Sequence, residues 1–386
     1  MRVLVLNAGS STLKASVVDH PRREPVFATT LDWGADASRA AGRADTLARL
    51  LETLVVEGVP IGSIEAVGHR VVHGGERFTE PTLLDDEVLG ALDDLATLAP
   101  LHNPVAVEAI RSARAALPDV PHVAAFDTAV HATLDDAARR YALPADWTEP
   151  HGIRRFGFHG LSVEWAIRRA DELLEADPAD LDLVVAHLGS GCSVTAVAGG
   201  RSVATSMGMT PLEGLVMGTR AGSVDPGILL RLLAAGVTLD DLADGLDHRS
   251  GLLALSGTAD MRDLLERETA GDAAAGLAVE LFVRRTAEAV GAAATSLERF
   301  DALVFSGGIG EHAALIRERI VDRLGVLGAR GPLDGAASDA ILTPSGTRPA
   351  VLRIEAREDL VIAAAAARVA DQGSGSTTPT PGRYGT

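Results

Sequence analysis

Cysteine is nearly absent from this chain: one residue, Cys192, in 386. A lone cysteine forbids an internal disulfide and points to a reducing compartment, the cytoplasm. Positive charge is scarce as well, with a formal net charge of −18. That balance excludes a nucleic-acid partner, because phosphate backbones are met by basic patches. No apolar run approaches the roughly 18 residues of a membrane span, and no basic-then-apolar leader is read at the start. A Walker A sequence is missing, which removes the P-loop fold as a source of phosphate binding. Lysine occurs once, at Lys14, and every other long cationic side chain is arginine. What is present is ordinary for a globular enzyme: 47% hydrophobic and 23% charged residues. The length exceeds one average core, so two domains are expected.

The single lysine stands in the stretch around which the chain is organised, VLVLNAGSSTLKASVVD. An apolar run, a turn of Asn7, Ala8, Gly9, Ser10, Ser11 and Thr12, and a second β-branched run predict a β-hairpin. The turn offers a glycine, three hydroxyls, an amide and an ammonium, a donor surface suited to phosphate oxygens. An ordinary hairpin with a solvated lysine is the alternative.

A third β-like run lies near 25–31, and a helical pattern covers about 40–57 with Leu47, Leu50, Leu51 and Leu54 on one face. A buried strand over 64–72 carries Arg70 beside Gly74 and Gly75; that guanidinium needs an anionic partner, whether ligand or salt bridge. In LAPLHNP, Asn103 and Pro104 read as N-cap and first residue of a helix to about Leu117, with His102 just before it. The strand 122–126 ends at Asp127, either a ligand-facing acid at a strand's carboxyl end or the N-cap of a following helix. Asp127 and His131 have the spacing of a metal pair, a weak signal without further ligands. RRFGFHGLS then bends at glycines around Phe158 and His159 before a helix to about Leu174.

The apolar strand 181–187 enters LGSGCSVTAV, and AHLGSGCS repeats the plan of LNAGSST. A strand-turn-strand phosphate loop occurring twice implies a duplicated domain with one nucleotide held between the copies. Downstream, MGTRAGSVDP displays Arg220, GTADMRD opens a helix, and an Ala-rich pattern over 272–299 reads as one helix. The strand 302–305 enters SGGIGEHA, where Gly308, Gly310 and Ala313 match the dinucleotide fingerprint. No acid some 20 residues on supports a Rossmann reading, and a glycine-rich strand-to-helix turn equally suits adenosine lying against backbone. A strand over 350–354 and a helix to about Ala370 precede a Gly/Ser/Thr/Pro-rich tail, expected to be disordered over 373–386.

The blocks NAGSSTLK, GHRVVHGGE, LAPLHNP, AFDTAVH, GFHG, AHLGSGCS, MGTRAGSVDP, GTADMRD and FSGGIGEH stand in the order found in acetate kinases. The chain resembles that family from residue 1 to about 370. The resemblance implies an α/β fold of duplicated ribonuclease-H-like (actin-like ATPase) domains around a nucleotide cleft. It implies an N-terminal domain of residues 1–131 closed by 360–372, a nucleotide-binding domain of 132–359, and a homodimer. The implied reaction is reversible phosphoryl transfer between ATP with Mg²⁺ (or Mn²⁺) and acetate, giving ADP and acetyl phosphate.

By the same resemblance, Asn7, Ser10, Thr12 and Lys14 form the first phosphate and metal loop, and Glu358 is the second magnesium-linked residue. Arg70 and Arg220 hold the carboxylate and the transferred phosphoryl group, and Asp127 lies near acetate and metal. His159 and His187 contact the phosphoryl group, with His102 a third, less critical histidine. Val72, Leu101, Phe158 and Pro211 form the acetate methyl pocket. Leu188, Gly189, Ser190 and Gly191 form the second phosphate loop, and Asp260, Met261, Arg262, Gly307, Gly308, Ile309 and Gly310 the adenosine site. The chain departs from the family at Ser190, where asparagine is usual, and at Ala356 to Asp359, which replace a Thr-Asn/Asp-Glu-Glu block. The region after Trp33 is also short. A propionate or butyrate kinase differs only in the room left by the Val72/Phe158/Pro211 pocket. A non-catalytic nucleotide switch of the actin type would leave the paired arginines and histidines without a purpose.

Overall fold

The computed structural model describes residues 1–9, 12–33, 40–97, 103–333, 335 and 337–374. Ser10, Leu101, His102 and the tail from 375 onward lie outside the described residues. The chain divides into two compact units, Met1–Ala129 with the segment from Glu358, and Val130–Arg357.

In the first unit Val3, Leu4, Val5 and Leu6 are buried in β1 (Arg2–Ala8), because an apolar run with both faces covered belongs inside a sheet. β1 pairs antiparallel with β2 (Thr12–Asp19), and β2 antiparallel with β3 (Glu24–Asp32). On its other side β1 runs parallel to β4 (Ala66–Val71). β5 (Thr82–Leu83) and β6 (His122–Phe126) complete the sheet, β6 parallel to β4 and β5 antiparallel at the edge. The order is β3-β2-β1-β4-β6-β5.

Helix Ala40–Val56 lays Leu47, Leu50 and Leu54 into a core with Leu4, Leu6, Leu13, Val17 and Trp33. Helix Asn103–Ala116 contributes Ala109 and Ala113 to that core, and Val107 and Ile110 to a second one with Val71 and Phe126. The last helix, Glu358–Ser374, packs on β1, β4 and β6. Gly68 permits this approach: a Cβ there would lie 2.6 Å from Ile362 Cγ2 and 3.3 Å from Ala366 Cβ.

The second unit repeats the plan with β7 (Asp182–Leu188), β8 (Cys192–Ala198), β9 (Arg201–Thr205), β10 (Ala302–Ser306), β11 (Ala340–Ile341) and β12 (Ala350–Arg353). Its order is β11-β12-β10-β7-β8-β9. β7, β8 and β9 form the antiparallel meander, β10 and β12 add in parallel, and β11 caps the edge antiparallel. Strand for strand this matches the first sheet, as expected of a duplicated ribonuclease-H-like α/β fold. Helix Ala273–Ala294 buries Val279, Phe282 and Val283 and packs on β7 and β8.

Three expectations need correction. The Ala-rich helix ends at Ala294, not near Arg299, where Thr295 caps it. Gly307 to Gly310 is not a loop but the first turn of helix Gly307–His312, directly after β10. Gly307 makes this tight entry with φ +77°; a Cβ there would lie 2.8 Å from Leu188 O. Finally, Asn103 does not cap its helix: its amide accepts from His73 N at 3.1 Å and donates to His73 O at 2.9 Å. Both sides of that amide match the N–H and C=O of one residue, a better use of a fully buried side chain than a single capping bond.

Candidate active site

In the first unit the functional side chains stand at the carboxyl ends of β1, β4 and β6. Arg70, on β4, forks onto the carboxylate of Asp127, Nε to Oδ1 at 2.9 Å and Nη2 to Oδ2 at 2.5 Å. Its Nη1 donates to Asn7 Oδ1 at 3.3 Å, and Nε lies 3.6 Å from Glu358 Oε2. Asn7 Nδ2 closes the ring by donating to Glu358 Oε2 at 3.4 Å. Thus Asn7, Arg70, Asp127 and Glu358, distant in sequence, form one cluster. Both alternatives for Arg70 are answered in part, since its salt bridge is to another candidate site residue. Asp127 spends its carboxylate on Arg70. Burial, and less so the Glu358 charge, pushes the Asp127 acid up, while the Arg70 guanidinium opposes them. Burial alone would lower the Arg70 guanidinium, but Asp127 and Glu358 outweigh it and raise it. Lys14 lies opposite Asn7 in the β1–β2 register and is exposed. Thr12 begins β2, and Val72 follows β4, half-buried.

The second unit presents an equivalent strand-turn-strand. Gly189 N donates to Gly191 O at 3.1 Å, as Gly9 N does to Thr12 O at 2.8 Å in the first hairpin. His187 ends on β7, and its ring centroid lies 4.4 Å from that of His159. His159 precedes helix Gly160–Leu174 in a left-handed conformation, φ 59°, uncommon for a non-glycine residue and a mark of a constrained position. Its Nδ1 shares a 3.0 Å hydrogen bond with Ser193 Oγ. A Cβ on Gly191 would lie 3.2 Å from His159 Nε2 and 3.6 Å from Arg220 Nη1, so the turn, the imidazole and the guanidinium crowd together. Arg220 Nη1 donates to Pro211 O at 3.4 Å, and Nε lies 3.8 Å from Asp247. Burial lowers the Arg220 guanidinium, with Asp247 opposing. The lone Cys192 is buried, and burial pushes its thiol up to about 12. It is no nucleophile.

Beside that turn is a groove of about 700 Å³ lined by Gly189, Ser190, Asp260, Met261, Arg262, Gly308 and Ile309. Residues expected for the second phosphate loop and for both adenosine segments therefore share one cavity. Ala259, from GTADMRD, and His312 and Ala313, from SGGIGEHA, also line it, as does Leu265, which no motif marks and which helix Met261–Thr269 brings there. The Asp260 carboxylate is occupied as a helix N-cap, accepting from Arg262 N at 2.8 Å and Arg262 Nη2 at 2.7 Å. The Arg262 contacts hold its acid at about 2. Leu188 and Phe158 are fully buried, and Pro211 is half-buried.

A divalent cation finds hard donors at Asn7 and Glu358. An amide oxygen and a carboxylate suit Mg²⁺, which keeps several waters and leans on phosphate oxygens rather than on a protein cage. Among the described residues no group of three or more His, Cys, Asp or Glu side chains makes such a cage. The residues fit Mg²⁺ on those terms.

Comparison with known proteins gives a consistent picture. The model of the acetokinase family matches residues 2–364. An acetate kinase of Deinococcus radiodurans is 44% identical, with 94% of this chain and 96% of that protein covered. A solved propionate kinase from Francisella tularensis superposes with TM-score 0.87 at 35% identity, covering 95% of this chain and 99% of that one. Porphyromonas gingivalis acetate kinase gives 0.85 at 30% identity over the same shares.

Proposed function

Since the chain belongs to the acetokinase family, we propose that its residues carry out that family's reaction by direct in-line transfer. The chain is a kinase that moves a phosphoryl group reversibly between ATP and acetate. One observation carries the assignment of roles. The Gly189–Ser190 turn lines the groove sized for adenosine, while the adjoining Gly191 lies against His159 and Arg220. A nucleotide in that groove runs its phosphates along the turn toward both cationic groups.

The chemistry asks little of a base. A carboxylate is already deprotonated, so the work is positioning two anions and neutralising charge on the moving phosphoryl group. Arg220, His159 and His187 donate to the phosphoryl oxygens. The Arg70 guanidinium, on a side chain 21% exposed and held by Asp127, receives the acetate carboxylate, with Asp127 in an orienting role. Lys14 and Thr12, with Ser10, bind phosphate. Val72, Phe158, Pro211 and Leu101 are assigned to the acyl methyl. Asn7 and Glu358 hold Mg²⁺, which when bound neutralises the nucleotide phosphates; Mn²⁺ suits the same oxygens.

Among the described residues no helix is long and apolar enough to cross a membrane. A single buried cysteine supports placing the protein in the cytoplasm. We also infer a homodimer. Helices Pro226–Ala234 and Leu239–His248 bury none of their own residues, and Ile228, Leu230 and Leu239 are 50%, 68% and 72% exposed.

The deciding experiment is ADP release with MgATP and acetate, propionate or butyrate in turn, trapping acyl phosphate with hydroxylamine. Acetyl hydroxamate is expected as the main product. Preference for a longer acid would keep the mechanism and move the substrate, since one methylene is worth about 1–3 kcal/mol. No hydroxamate from any acid would end the catalytic reading.

A further inference from the structure

A cluster in the second unit is left unused by the reaction described above. Arg155 Nη1 donates to the carbonyls of Thr205, Ser206 and Met207 at 3.2, 3.2 and 2.8 Å. Its Nη2 donates to Glu213 Oε1 at 2.7 Å. Tyr141 donates its hydroxyl to Glu213 Oε2 and accepts from Met209 N at 3.0 Å, with its ring 5.4 Å from the Arg155 guanidinium. Phe156 N and Gly157 N both donate to Gly208 O, at 3.1 and 3.2 Å. A Cβ on Gly208 would lie 1.9 Å from Glu213 Oε2 and 2.2 Å from Tyr141 Oη. The loop over 206–214 thus closes onto its own carboxylate, and only glycine lets it. Pro211 stands in that loop, and its carbonyl accepts from Arg220 Nη1. Arg155, through the next two residues, leads to Phe158 and His159. The charge-assisted Arg155–Glu213 contact is only partly exposed, at 19% and 35%, so it is stronger than a solvated surface pair.

We propose that Glu213, gripped by Arg155 and Tyr141, is a positioning residue for the acyl end of the reaction. It sets where Pro211 stands, and through it the room left for the acyl chain; the Pro211 carbonyl in turn steadies the Arg220 guanidinium that meets the phosphoryl group. This rests on the roles given above to Pro211 and Arg220.

The test compares Glu213→Ala, Glu213→Gln and Tyr141→Phe with the unaltered protein, using acetate and propionate. Glu213→Ala is expected to raise the acetate KM about tenfold and to shift the acetate-to-propionate ratio of kcat/KM at least threefold, roughly, with the MgATP KM unchanged. Glu213→Gln, which keeps an acceptor for Tyr141, recovers most of the loss. A purely structural role lowers kcat for both acids alike and leaves every KM and the ratio in place; that result overturns the proposal. Should Glu213→Ala not fold, Tyr141→Phe removes a single hydroxyl and is read by the same ratio, with no change again overturning it. Arg220→Ala, measured alongside, separates the two failures. If it abolishes turnover while the Glu213 variants keep the ratio, only the positioning role falls; if it keeps full turnover, the assignment of the site falls with it.

Discussion

A guanidinium facing a buried carboxylate is costly to remove from either side, because the surviving charge is left without its partner. Arg70 and Asp127 stand in that relation, and Arg70 also reaches Asn7 and Glu358. Arg70→Ala is therefore expected to lower kcat by about 10²-fold or more, read in the hydroxamate assay. Arg70→Lys is expected to recover little, since an ammonium cannot fork onto two oxygens. Turnover near normal in Arg70→Ala would refute the role given to it. At this scale the sequence was informative where residue type was unusual: one lysine in the chain, an arginine in an apolar strand, an acid at a strand's end. It was silent on Glu213 and Tyr141. They are 72 residues apart; Glu213 sits in the glycine-containing stretch MGMTPLEG but nothing there points to Tyr141, and only the folded loop makes them a pair.

Among elements, the two hairpins were the legible ones, because a polar turn between apolar runs has one common solution. The two-residue strands β5 and β11 were not, since pairing at an edge requires a neighbour and no pattern of their own. The segment at Gly307 was legible as a glycine-rich strand-to-helix turn, but not that the helix begins at its first glycine, which serves a close backbone approach to Leu188. Gly68 is the counterpart in the first unit. Gly68→Ala would press a methyl onto Ile362, a stiff, fully buried residue, and is expected to destabilise by ~1–3 kcal/mol. Combining it with Ile362→Ala should cost less than the sum of the single changes. Additive losses in denaturant unfolding would show that the helix does not pack on β4 this way.

For the molecule as a whole, the leucine-rich helices at 226–234 and 239–248 need a cover that the chain does not supply from its own described residues. A second copy is the inferred cover. Leu230→Glu is expected to halve the mass seen by light scattering at micromolar concentration; an unchanged mass would place the interface elsewhere. The acidic balance sets a condition on the sites proposed: any anion they take must be held by local arginines, histidines and amides against the overall field.

The return of the last helix to the first sheet has a consequence for how the protein is made. Glu358, the residue that completes the cluster with Asn7, Arg70 and Asp127, leaves the ribosome only after the entire second unit has been synthesised. At ordinary synthesis rates that delay is roughly ten seconds or more. During it the second unit can fold while β1, β4 and β6 wait for the helix that covers them. On the roles proposed above, a nascent chain acquires its adenosine groove first and its carboxylate-binding cluster last, so an unfinished polypeptide would meet the nucleotide without the means to spend it on acetate.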